Sequence, residues 1–157
     1  MELDIPSITG IVAAMGVIVG VVLTVQELRH LVRQRQTDLI VNLYSVFATE
    51  EFQKEMFTLM TDTEIKDYNT FRKKYAVNAP PTGLFFEEVG VLLSRKLADI
   101  GLISNLFGPL AMGLWEKSKL IAEDARKQLN SPGFGSGFEY LYNEMKKRKQ
   151  QRASKTP

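Results

Sequence analysis

The chain has 157 residues, with no Cys, one His, and 20 basic against 18 acidic side chains for a formal net charge of +2. This composition excludes disulfides, thiolate chemistry and a histidine metal cluster, and no cofactor is expected. The even balance of charge disfavours nucleic-acid binding through bulk electrostatics.

From Ile5 to Gln26 there are 22 residues without a charged side chain, eleven of them Ile, Val or Leu. At about 1.5 Å per residue a helix of that length spans roughly 33 Å, close to the hydrocarbon thickness of a bilayer. A soluble core helix this apolar would have to be buried on every side, and the remaining chain is only one modest domain. A cleaved signal peptide would have a basic start and a shorter apolar stretch, whereas Glu2 and Asp4 precede this one. Residues 1–27 therefore read as a retained transmembrane anchor. No Lys or Arg precedes it, and Arg29, Arg33 and Arg35 follow it closely with His30 among them. The excess of positive charge on that flank predicts an N-terminus outside and the rest of the chain in the cytoplasm, at the cell membrane.

Thr9, Ala13, Gly16, Gly20 and Thr24 recur at helical spacing and are all small. Gly16 to Gly20 is a GxxxG, which lets two helix backbones approach closely. The stripe predicts a homo-oligomer or a membrane-embedded partner. Small residues are also common in plain anchors.

No Gly lies between Gly20 and Gly83, and no Pro between Pro6 and Pro80, so this stretch can be almost wholly helical. Leu28–Ala48 reads as a juxtamembrane helix continuous with the anchor, a rod of roughly 60 Å in all. Residues 49–149 read as a helical bundle. Thr49 caps a helix over Glu50–Met60, and Thr61-Asp62-Thr63-Glu64 is a second start signal for a helix over Glu64–Tyr75. Asn78 to Gly83 is a break. Further helices are predicted over Leu84–Asp99, Ile103–Leu129 (with Pro109 near its start) and Ser136–Lys149, the last with a Glu144–Arg148 pair. Residues 150–157 read as a basic disordered tail.

Phe85-Phe86-Glu87-Glu88-Val89-Gly90 sets two carboxylates in an apolar helix. Glu88 shares a face with Leu92 and Arg95. A Glu with a raised pKa could serve as a general acid or base. No nucleophile or metal partner is visible, which favours a carboxylate held in the core by Arg95, Lys96, Arg126 or the Trp115 N–H. Glu88, Arg95, Trp115 and Arg126 are thus candidates for a structural polar core. Pro132 to Phe138 is glycine-rich but lacks the Lys-Ser/Thr of a phosphate cradle, and reads as a turn with Ser136 as a helix cap. Lys146 to Pro157 carries six basic residues and no acid. It reads first as a solvated terminus, with contact to anionic lipid left open.

Several of these segments together resemble a family of small prokaryotic membrane proteins classed as a domain of unknown function. They are Phe85 to Gly90, Leu102-Ile103, Trp115-Glu116, Arg126 and Phe138-Glu139-Tyr140-Leu141. The resemblance runs from about Leu28 to Met145 and implies one span followed by a helical domain. It implies no reaction, cofactor or catalytic residue.

The sequence therefore predicts an all-α protein: one N-terminal transmembrane helix and a cytoplasmic bundle of about five helices. Its expected role is non-enzymatic, an interaction or scaffold module with an unidentified protein partner. The alternatives are a pore-forming or transport-accessory oligomer, and a membrane-bound enzyme using Glu87 or Glu88.

Overall fold

The computed structural model describes residues 5–75 and 79–154, and in the first helix the side chains from residue 13 onward. Among these residues there are six α-helices and no strand: α1 Ile5–Phe47, α2 Glu50–Thr61, α3 Tyr68–Tyr75, α4 Pro81–Ser94, α5 Ile100–Gln128 and α6 Ser136–Ala153. A long apolar N-terminal helix is followed by a helical bundle, as the periodicity predicts. The chain divides into two compact units, Met1–Asp38 and Leu39–Pro157.

The first unit is helix throughout its described part. Ala13–Phe47 is long and apolar enough to cross a membrane, with a mean hydropathy of 1.5 in its best window and none of that window buried. Val17, Ile18, Val21, Val22 and Leu23 are all exposed.

The second unit holds the whole hydrophobic core, and that core begins inside α1. Leu43 and Phe47 are buried, with Leu39 and Ile40 packed against the same cluster. The Phe47 ring lies tilted or edge-on to those of Phe52, Phe85 and Phe107, at centroid distances of 5.4, 6.2 and 4.9 Å. The predicted boundary between a juxtamembrane helix over 28–48 and a bundle from 49 onward therefore moves to Leu39. The helical spacing of Leu39, Leu43 and Phe47 belongs to the bundle, because these residues have partners there.

Thr49 closes one helix and opens the next. Its hydroxyl donates to the Val46 carbonyl (2.9 Å) and accepts the Phe52 N–H (3.3 Å). The amide of Gln53 donates to the otherwise orphaned Phe47 carbonyl (2.6 Å). The next boundary departs from prediction. Thr61 to Glu64 ends α2 instead of starting α3, and the residue that caps α3 is Asp67. Its carboxylate accepts the N–H and the hydroxyl of Thr70 at 2.7 and 3.1 Å. Those bonds hold the Asp67 carboxyl below the usual aspartate range.

Asp62 ties the end of α2 to α3. Its carboxylate meets the Lys74 ammonium at 2.8 Å, the Tyr75 hydroxyl at 3.0 Å and the Glu64 N–H at 3.0 Å. The ammonium of Lys74 first, then the N–H and the phenol, hold the Asp62 carboxyl below its ordinary range.

Helix α4 starts at Pro81, where a missing N–H costs nothing. It stops at Ser94, short of the predicted Asp99. The Leu97 and Lys96 N–H groups return to the carbonyls of Leu92 and Leu93 at 2.9 and 3.0 Å, a Schellman closure. Lys96 takes the left-handed position, φ 58°. Asp99 then opens α5 by accepting the Leu102 N–H at 2.9 Å. Ile100 to Leu102, which lie between the two predicted helices, form the first turn of that helix, which continues through Pro109. Asn130, φ 49°, closes α5 by the same motif.

Helix α6 reaches Ala153, so residues 150–153 of the predicted disordered tail are helical, and residues 155–157 lie outside the described residues. Glu144 pairs with Lys147 at 2.6 Å and not with Arg148 as expected.

Candidate functional site

Three places in the molecule bear on function: the small-residue face of α1, the junction of α4 with the start of α6, and a cavity in the bundle.

On α1, Ala13, Gly16, Gly20 and Thr24 are exposed, and a Cβ added at Gly16 or Gly20 would meet nothing within 4 Å. Nothing in the monomer therefore requires glycine there. The Thr24 hydroxyl donates to the Gly20 carbonyl at 2.8 Å, which satisfies it within its own helix. The side chain of Thr9 lies outside the described residues. Arg29, Arg33 and Arg35 are exposed.

At the α4–α6 junction the acidic pair separates by face. Glu88 is exposed, and so is Arg95, the C-cap of α4. Neither belongs to a polar core, contrary to the expectation for both. Adjacent helical residues point about 100° apart, and the face that carries Phe85, Phe86 and Val89 inward leaves Glu88 outward. Glu87 is the carboxylate that matters. Its Oε1 accepts the Gly137 N–H at 2.9 Å and its Oε2 accepts the Phe138 N–H at 2.8 Å. These are orphan donors in the first turn of α6, where the helix dipole also favours negative charge. The glycine-rich turn thus presents a helix N-terminus, and a carboxylate of the same chain fills it. Gly135, φ 70°, is the N-cap in place of Ser136.

That contact requires the two helices to touch at backbone distance. A Cβ on Gly90 would lie 1.8 Å from the Gly137 carbonyl oxygen, and one on Gly137 would lie 2.5 Å from the Glu87 carbonyl oxygen. Arg126 secures the same turn from α5. Its Nε donates to the Phe134 carbonyl at 2.8 Å, and its guanidinium pairs with Glu139 at 2.7 Å. Trp115 is buried, with Phe138 5.0 Å and Tyr142 6.4 Å from its ring. Arg126 and Trp115 therefore converge on the start of α6. The signal for Gly90 was present in the sequence, since an isolated glycine in an apolar helix usually has a packing reason. Its partner, Gly137, lies 47 residues on.

The cavity measures about 280 Å³ and sits among α2, α3, α4, α5 and the start of α6. Leu59, Phe71, Leu114, Trp115, Ile121 and Phe134 are among the apolar residues of its wall. Few polar groups border it, and most are engaged. Glu87 holds α6, the Ser118 hydroxyl donates to Leu114 (2.8 Å), and the Lys117 ammonium donates to the Met60 carbonyl. Tyr68 also borders it and is fully buried. Its N–H donates to Asp124 at 3.0 Å, while its buried hydroxyl has no hydrogen-bond partner among the described residues. Neither the cavity nor Tyr68 was singled out in the sequence.

Comparison of the chain with protein-family models, curated proteins and solved structures returned no match.

Proposed function

We propose that this protein is a membrane-anchored, non-enzymatic interaction module. The span carries it to the cell membrane with the N-terminus outside. The bundle faces the cytoplasm, and copies associate through the Thr9–Ala13–Gly16–Gly20–Thr24 face. The observation that carries the reading is the first unit itself: a long apolar helix whose large side chains are exposed and whose glycines face open space. Water disfavours that surface at roughly 25 cal/mol per Å², whereas lipid and a second helix both accept it. The resemblance over residues 28–145 supports the same architecture, and basic residues of α6 can add contact with anionic lipid.

The carboxylate that acid–base chemistry would need at Glu87 is engaged by two N–H groups, which weighs against the enzyme reading. A pore would need polar groups along the span, and the Thr24 hydroxyl is turned into its own helix.

Replacing both Gly16 and Gly20 with Ile should reduce crosslinked dimer in native membranes at least about tenfold, because close backbone approach is lost. Unchanged crosslinking would remove this face from the role. The chain has no native Cys, so single-cysteine variants report orientation directly. Glu2→Cys should react with an impermeant maleimide in intact cells, and Ser154→Cys only after lysis. The reverse pattern would invert the topology.

A further inference from the structure

One end of the bundle, where α4 stops, α5 begins and α6 ends, carries apolar surface that the core does not cover. Leu97, Leu102 and Leu106 keep 55%, 46% and 39% of their surface exposed. Leu97 lies in the closure of α4, directly after the exposed Arg95 and Lys96. Leu102 and Leu106 are one turn apart on α5 and share a face. Helix α6 brings two more cations to the same place. The Arg152 guanidinium donates to Asn105 at 3.2 Å, and Asn105 lies one turn from Leu102. The Arg148 guanidinium approaches Gly101, where an added Cβ would lie 3.1 Å from its Nη2.

Large aliphatic side chains among cations match the interface of an anionic bilayer, which takes apolar groups to a depth of about 5–10 Å and surrounds them with phosphates. The one acid between Ser94 and Leu106, Asp99, accepts the Leu102 N–H and so is already engaged. A second copy of this face is a poor partner, since a self-complementary contact would set these cations against their own images. The membrane anchor proposed above, on which this inference rests, also keeps lipid near. Residues 27–38 separate the uncharged run from the unit that begins at Leu39, about 18 Å of helix. We infer that this end of the bundle is a second membrane contact, in which Leu97, Leu102 and Leu106 enter the interface of an anionic leaflet and Arg95, Lys96, Arg148 and Arg152 meet its phosphates. Each cation near such a surface raises the docked-to-free ratio roughly fivefold, so the contact depends on lipid charge.

The chain has no Cys, so apolar nitroxide labels on single-cysteine variants of the full-length protein report depth in vesicles. In equal parts phosphatidylglycerol and phosphatidylcholine, a label at Leu102→Cys should meet oxygen more readily than a water-soluble nickel chelate. In phosphatidylcholine alone it should be aqueous. A label at Val19→Cys, in the span, should lie in lipid in both vesicles, and one at Gln128→Cys, at the far end of α5, should be aqueous in both. Adding Arg95→Gln and Lys96→Gln should lower the docked-to-free ratio at Leu102→Cys about 25-fold. Salt at about 1 M, where the Debye length is about 3 Å, should return the Leu102→Cys label to its neutral-vesicle value. An aqueous Val19→Cys label overturns the anchor and this inference with it. Val19→Cys in lipid with Leu102→Cys aqueous in anionic vesicles overturns the second contact alone and leaves that end of the bundle to a protein partner. Equal shielding of Leu102→Cys in neutral vesicles overturns it in favour of contact between copies, and a lipid signal at Gln128→Cys overturns it as unspecific adsorption. Helical circular dichroism checks the fold of each variant, and if the double glutamine variant does not fold, the lipid and salt comparisons decide.

Discussion

Glu87 does for α6 what a capping side chain usually does from within the same helix. Both of its oxygens accept N–H groups, from Gly137 and Phe138. A glutamine can present one oxygen to them, but its amide NH₂ would face the second donor. Glu87→Gln should therefore destabilise the bundle by about 1–3 kcal/mol, as expected when a charge-assisted bond is lost and a donor is left unpaired. Glu88→Gln, on the exposed side, should stay within about 0.5 kcal/mol. Chemical denaturation followed by circular dichroism compares the two, and equal losses would refute the assignment. Asp62 gives a pH signature. Its folded-state pKa is lowered by Lys74 first, so its stabilisation is full above the unfolded-state aspartate value of about 4. It is lost as the pH falls from there through the lowered folded value. Melting temperatures of Asp62→Asn should lie below those of the parent at neutral pH and converge with them in acid. A constant gap down to pH 2 would contradict this.

At the scale of elements, the helix ends depend on a few local motifs that differ in how openly the sequence displays them. Thr49 and Asn130 are residue types that commonly mark a helix start and a helix end, and both boundaries are legible from sequence. Lys96 is not such a residue, yet it occupies the left-handed position that closes α4. An L-residue with a long side chain is strained there, so Lys96→Gly should stabilise the bundle by about 0.5–1 kcal/mol. A thermal melt would show the gain, and a loss would mean that the lysine side chain contributes more than the backbone strain removes. Asp67 was hidden for a related reason. Thr61 to Glu64 offers four polar residues with helix-start character, and the bonds of Asp62 to Lys74, Tyr75 and the Glu64 N–H hold that stretch outside the helix.

For the whole molecule, the principal consequence is that the bundle includes the end of α1. A chain starting at Leu39 keeps every buried core residue, and one starting at Thr49 loses Leu43 and Phe47. Phe47 alone touches three other phenylalanines, and removing a buried Phe side chain costs about 3–5 kcal/mol. The 39–157 fragment should therefore unfold cooperatively. The 49–157 fragment should melt far lower or bind hydrophobic dyes as a loosened bundle. Equal melting of the two would show that α1 contributes nothing to the core.

The amino-acid sequence by itself determined the helical class, the long apolar first helix and the cap at Thr49, because these follow from hydropathy and from interactions within a few residues. It also marked Phe85 to Gly90 as unusual. Only the tertiary structure decided which of two adjacent glutamates is engaged, since that depends on where a helix 50 residues away presents its N–H groups. The glycine contact between α4 and α6 and the cavity beside Tyr68 are likewise products of packing among distant segments. Periodicity names the face of a helix that turns inward. It does not say what the face meets, and at these positions the meeting sets the role of each residue.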